Sequence, residues 1–111
     1  TRTIPVLIEV ANSDGRLTIN ETTPIELYSS EGRTATAIPR QAVYEDDGRD
    51  VVYVQTGGES FAKRAVELGP AHAGNVSVLA GLRAGERIVT RGGYHVKLAS
   101  TSAVIGHGHA H

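Results

Sequence analysis

The sequence predicts an all-β chain of short antiparallel strands, folded as a small barrel or sandwich, and three observations carry that expectation. Apolar and polar residues alternate at period two in several places, which is the spacing of a strand with one buried face. Turn residues, chiefly glycines and Asp-Gly pairs, punctuate the chain at short intervals. The apolar palette, 40% of the 111 residues, is mainly Val, Ile, Leu and Ala, with 5% aromatics and no Trp, Met or Cys. A core of that make-up favours strands. No segment of useful length shows a helical period.

Taken in order, Ile4, Val6, Ile8 and Val10 alternate with Pro5, Leu7, Glu9 and Ala11 and predict a first strand. Asn12-Ser13-Asp14-Gly15 closes it, because such residues bond their own backbone or tolerate positive φ. Ile25, Leu27 and Thr34 to Ile38 supply returning strands. Pro39 lacks a ladder donor and biases Ile38 toward extended geometry, so a domain junction is placed there. Beyond it a meander is expected: Ala42 to Tyr44, a turn at Asp46-Asp47-Gly48, Val51 to Gln55, a Gly57-Gly58 turn, and an arm from Phe61 to Leu68. Gly69-Pro70 is expected to stop that arm and Ala71 to Asn75 to form a loop. Val76 and Val78 restart a strand, Arg87 to Thr90 form another, and Tyr94 to Leu98 a last extended piece. From Ala99 the chain turns small and polar and ends in Gly106-His107-Gly108-His109-Ala110-His111, a flexible tail.

Composition removes several classes of function. Eleven basic residues nearly balance twelve acidic ones without long blocks of either sign, so no electrostatic case for nucleic acid exists. Without cysteine there is neither a disulfide nor a thiolate metal site, and the redox compartment stays open. No apolar run approaches the roughly 18 to 20 residues of a membrane span, and no signal core is present. Because Thr1 stands in a strand already under way, the sequence reads as a piece of a longer chain.

The run Ile38-Pro39-Arg40-Gln41-Ala42-Val43, then Asp47-Gly48, Val52-Tyr53-Val54 and Lys63-Arg64-Ala65-Val66-Glu67-Leu68-Gly69 resembles the membrane-proximal domain of periplasmic adaptors, or membrane fusion proteins, of resistance-nodulation-division (RND) efflux pumps. Gly81-Leu82-Arg83-Ala84-Gly85-Glu86-Arg87-Ile88-Val89-Thr90-Arg91-Gly92 is similar to that family's GL-x-x-G-(D/E)-x-V-V-x-x-G signature. Upstream, Ile4 to Leu17 resembles the closing strands of the family's β-barrel domain. Where the family follows that leucine with a basic residue and Pro-Gly-Met, this chain has Thr18-Ile19-Asn20-Glu21. The resemblance implies a partial β-barrel segment over 1–37, a membrane-proximal β domain over 38–105 and a flexible His-containing tail over 106–111. It further implies a non-catalytic periplasmic adaptor, its parent anchored to the inner membrane. Such an adaptor links an inner-membrane metal-cation pump to an outer-membrane channel and packs against copies of itself. Arg40, Arg64, Arg83, Arg87 and Arg91 are the candidates for polar rim contacts.

The histidine-bearing end is similar to the ends of adaptors for cobalt, zinc, cadmium, copper or nickel efflux. In an extended segment His107, His109 and His111 project to one side, roughly 7 Å apart. Neutral imidazole suits Zn, Co, Ni and Cu, so these three are candidate ligands for a divalent transition metal, while no cofactor is required by the fold. The absence of Met argues against a thioether site for copper(I) or silver. The alternatives are an unstructured end with incidental histidines and a purification remnant. His95 is a further candidate ligand if the terminus folds back, and His72 reads as a loop residue. A second functional reading is a periplasmic metal carrier or sensor acting through the tail. No catalytic residue is assigned: Ser29, Ser30, Ser60 and Ser77 lack a nucleophile elbow, and the histidines lack a triad context. Asp46, Asp47 and Asp50 lack the ligand spacing of a calcium loop and read as a solvated hairpin turn.

Overall fold

The computed structural model describes residues 7–12, 15–26 and 34–109, and beyond Thr101 the backbone alone. Its elements are β1 (Leu7–Glu9), β2 (Thr18–Glu21), β3 (Thr23–Glu26), β4 (Thr34–Pro39), a 3-10 turn (Arg40–Ala42), β5 (Tyr44–Asp46), β6 (Arg49–Gly57), β7 (Ser60–Ala65), β8 (Glu67–His72), β9 (Asn75–Ala80), β10 (Arg87–Arg91) and α1 (Gly93–His109). The part of the first expected strand before Leu7, and Leu27, lie outside the described residues.

Among the described residues the strands form two antiparallel sheets and no closed barrel. A six-stranded sheet runs β1-β7-β6-β10-β2 with β5 paired to β6, and a four-stranded sheet runs β3-β4-β9-β8. Period two assigns the residues of β6 to two cores. Val52 and Val54 join Ile38, Ala42, Val76, Val78 and Ile88 between the sheets. Tyr53 points the other way, to Ile8, Leu17, Phe61, Val89 and Val96. Val96 belongs to α1, so the helix covers the face of the large sheet opposite the small one. The layers are therefore small sheet, large sheet, helix. Tyr53, under 2% exposed, stacks obliquely on Tyr44 at 5.8 Å, and burial pushes its phenol up to about 12.

The hairpin expected at Asp46-Asp47-Gly48 forms between β5 and β6, with Asp47 and Gly48 both at positive φ (58° and 79°) as a type I′ turn requires. Thr18–Glu21, where the sequence departs from the adaptor pattern, is a regular strand against β10.

Two expectations need correction. Gly69-Pro70 does not stop a strand. β8 runs through it, because β8 pairs only with β9 among the described residues and an edge strand tolerates proline at a bulge. The connection to β9 is a tight Ala73-Gly74 turn. The extended piece expected over Tyr94 to Leu98 is instead the start of α1, the helix that the lack of a helical period seemed to exclude. The helical backbone continues through His109.

Candidate functional site

The adaptor-like signature folds into the β9 to β10 connection and β10 itself, and two of its glycines sit where a side chain has no room. Gly81 has φ 106°, and a Cβ there would stand 2.5 Å from the Ala65 carbonyl oxygen. Gly92 has φ 84°, and a Cβ would collide with the Arg16 carbonyl oxygen. Between them Ile88 and Val89, each 1% exposed, feed the two cores.

Glu86 organises the loop. Its carboxylate accepts two 2.8 Å bonds from Arg64 Nη1 and one of 2.9 Å from the Arg83 N–H. Burial raises its pKa, but these bonds and the charges of Arg64 and Arg83 outweigh it and hold the group below the ordinary value. Thr22, 5% exposed between β2 and β3, ties the loop to the amino-terminal strands. Its Oγ1 donates to the Arg83 carbonyl at 2.6 Å, its N–H donates to the Glu86 carbonyl at 2.7 Å, and its carbonyl accepts from the Gly85 N–H at 3.2 Å. The result is a rigid corner presenting an exposed Arg83, with Arg64 half-buried behind it.

The five candidate arginines do not share one face. Arg64 lies opposite Val52 in register, so it stands on the side of the small sheet. Arg87 alternates with Ile88, stands on the other side, and donates through Nε to Gln55 Oε1 at 3.0 Å. Arg91 is exposed at the end of β10. Arg40 lines an open cleft of about 400 Å³ with Tyr44, Glu45, Asp50 and Leu68. The acidic hairpin is engaged with a cation: Asp46 pairs with Lys63, whose hydrogen bond and then charge depress its pKa.

The two histidines whose side chains are described, His72 and His95, lie on different elements. His72 is exposed at the end of β8 opposite Asn75. His95 is half-buried in the first turn of α1 with its ring edge-on to Tyr94 at 6.5 Å. The side chains of His107 and His109, and the whole of His111, lie outside what the structure describes. Among the described residues no group of three or more His, Cys, Asp or Glu is placed to hold a metal ion. The Thr22 anchor was missed by sequence reasoning, since a single threonine at a strand junction carries no motif.

A two-sheet β domain with a glycine-braced loop and a terminal helix is an adaptor-type, SH3-like unit, and comparison with known proteins agrees. Residues 36–97 match the family described as the CzcB C-terminal circularly permuted SH3-like domain. Over 97 residues the chain is 33% identical to the nickel and cobalt resistance protein CnrB of Cupriavidus metallidurans CH34, covering 86% of this chain and 24% of that protein. It is 28% identical over 103 residues to the nickel-cobalt-cadmium resistance protein NccB of Alcaligenes xylosoxydans xylosoxydans, covering 92% of this chain and 26% of that one. The chain thus spans about a quarter of the length of these relatives. The NMR structure of the N-terminal metal-binding site and membrane proximal domain of SilB from C. metallidurans CH34 superimposes with a TM-score of 0.59 at 22% identity, over 84% of this chain and 49% of that one, a likeness of fold. The crystal structure of ZneB from C. metallidurans gives 0.53 at 25% identity, over 58% and 19%. The chain belongs to the CzcB C-terminal domain family, carried by membrane fusion proteins of heavy-metal resistance efflux systems.

Proposed function

We propose that this chain is a non-catalytic docking domain of a periplasmic adaptor that couples an inner-membrane RND metal-cation pump to an outer-membrane channel. The observation that carries the reading is the family match over residues 36–97, which spans the braced loop. A corner held by Glu86, Arg64 and Thr22 gives a partner a surface that needs no ordering on contact, which lowers the entropic cost of association. Proton-driven transport belongs to the pump, and further contacts to copies of the adaptor. The domain sits in the periplasm, on a parent anchored to the inner membrane. Capture of the pump subunit by the parent adaptor, intact or lacking residues 36–97, is the test. Loss of capture is expected on deletion, and undiminished capture overturns the reading.

A second reading has its own support: three histidines close a chain whose relatives are named for nickel, cobalt and cadmium resistance. In it His107, His109 and His111 hold Zn, Co, Ni or Cu at modest affinity, since ordering the segment costs entropy. While α1 is helical, His95 stands twelve residues before His107, about 18 Å along the axis, so a shared site requires α1 to unwind. Titration calorimetry on the whole chain and on one stopped at Ile105 separates the readings. Equal heats remove the tail.

A further inference from the structure

The open cleft of about 400 Å³ is lined from both sheets, and its floor is apolar: Val43 and Leu68, packed on the inter-sheet core, and the buried Val76. Its charges are sorted by end. The Val66 N–H donates to the Asp50 carbonyl at 2.9 Å, which places Asp50, and Glu45 opposite it in register, beside the start of β8. The Arg40 N–H donates to the Gly74 carbonyl at 3.0 Å, which places Arg40 beside the turn that ends β8. Between these ends Leu68 and Ala71 lie opposite Val78 and Val76, two positions apart on β9 and so separated by roughly 7 Å. The cleft is acidic at one end, basic at the other and apolar between.

The acidic end breaks a rule of sheet stability. Like charges directly opposite each other across an antiparallel pair destabilise it. Asp50 alternates with Val51 and shares its side of β6 with Val52 and Val54, so it and Glu45 face the small sheet and the cleft. The neighbouring cations are committed elsewhere. Lys63 stands opposite Tyr53, on the α1 side, and pairs with Asp46. Lys97 reaches only the Glu45 main-chain carbonyl, at 3.4 Å, and Arg64 is bound to Glu86. Among the described residues no ion pair relieves Glu45, Asp50 or Arg40. Positions where a fold keeps such a conflict are expected to serve function.

We propose that the cleft receives an arginine side chain of a protein partner, with a partner carboxylate two residues away from it on Arg40. The planar guanidinium offers donors to Glu45 and Asp50 together, and its aliphatic stem covers the floor of Val43, Leu68 and Val76. In an extended segment, residues two apart project to one side at roughly 7 Å, which matches the spacing along the cleft. The proposal goes beyond the docking reading: it uses neither the braced loop nor the pump, so peptide binding and pump capture fail independently.

The experiment is NMR titration of the full chain with the capped peptide acetyl-Gly-Arg-Thr-Glu-Gly-amide, and amide shifts concentrated at the cleft-lining residues are expected. Replacing the peptide's arginine by citrulline keeps its shape and removes its charge, and should weaken binding about tenfold. Glu45→Gln with Asp50→Asn should weaken it about as much, while the thermal melt stays or rises because the repulsion is gone. Free arginine should bind about tenfold more weakly than the peptide. Absence of shifts at the cleft, equal binding of the citrulline peptide, or unchanged affinity of the double variant overturns the proposal. So does a lowered melt in that variant, since the two carboxylates would then be structural. Free arginine binding as tightly as the peptide would assign the cleft to a small molecule and overturn the protein partner.

Discussion

Gly92 and Gly81 are the two positions where the signature is a steric requirement. At Gly92 a methyl group would need both a left-handed backbone and displacement of the Arg16 carbonyl. Gly92→Ala is expected to cost about 1–3 kcal/mol from backbone strain alone, and a urea titration would show it as a lower midpoint with an unchanged slope. Thr36 gives the opposite sign. It is 5% exposed in β4 and its Oγ1 has no hydrogen-bond partner among the described residues, so the hydroxyl carries a desolvation cost without return. Thr36→Val keeps the shape and removes the orphan, and should be neutral or stabilising by up to about 1 kcal/mol; a clear loss would reveal a partner for the hydroxyl. Glu86 supplies a pH signature. Its folded pKa is depressed, so its contribution is complete above the unfolded carboxylate value of about 4.3 and disappears as pH falls through the lower folded value. Because Arg64 and Glu86 are partly solvated, Glu86→Gln should cost only about 0.5–1 kcal/mol at neutral pH, and the gap between variant and parent should close below about pH 4. A gap that persists in acid would mean that shape, not charge, is what Glu86 contributes.

Thr22 is the single residue between β2 in one sheet and β3 in the other, so the chain changes sheets across a residue pinned by three hydrogen bonds to the signature loop. Thr22→Val retains the two backbone bonds and loses the Oγ1 donor, leaving the Arg83 carbonyl short of a partner. A loss of about 1 kcal/mol is expected, together with faster amide exchange at Gly85 and Glu86; unchanged exchange would show that the backbone bonds suffice. The loop that Thr22 holds was legible in the sequence because glycine spacing, an acidic residue and two apolar inserts are local signals, each tied to one conformation. The meander was legible for the same reason, through Asp47-Gly48 and the alternation in Val51 to Gln55. α1 was not. Tyr94, Val96 and Leu98 alternate with His95 and Lys97, which reads as period two with all three on one face, whereas the helix splits them, burying Val96 and exposing Tyr94 and Leu98. Apolar residues on opposite sides cancel a helical period, and Gly106 and Gly108 lower helix propensity further. β8 escaped because glycine and proline mark a stop only in a strand paired on both sides, and β8 is an edge. The histidine candidates remain a sequence-level proposal, since side chains beyond Thr101 are not described.

The three layers are unequal in how they are closed, and this decides where the chain can be cut. The core between the sheets draws all its buried residues from positions 38–88, within the family match. The core under α1 does not: Ile8 and Leu17, 3% and 5% exposed, come from upstream and pack with Tyr53, Phe61, Val89 and Val96. β1 and β2 also form the two edges of the large sheet, pairing with β7 and β10. A chain begun at Thr34 would lose two buried aliphatic side chains, each worth about 2–5 kcal/mol by comparison with truncation to alanine, and would bare three strand edges, those of β7, β10 and β4. That sum is of the order of the whole stability of a small domain, about 5–15 kcal/mol. The expected outcome is a loosely packed or associating species without a cooperative thermal transition. Tyr53 reports on it directly. In the full chain burial raises its phenol from the ordinary 10.0 to about 12. The associated stability is therefore intact below about pH 10 and is lost as pH rises through the folded value. Ultraviolet difference titration should show the raised phenol of Tyr53 in the full chain and its return toward 10.0 in the shortened one. Retention of the high-pKa tyrosine with a sharp melt would mean that the second core closes without β1 and β2, and that residues 36–97 with α1 are a complete folding unit.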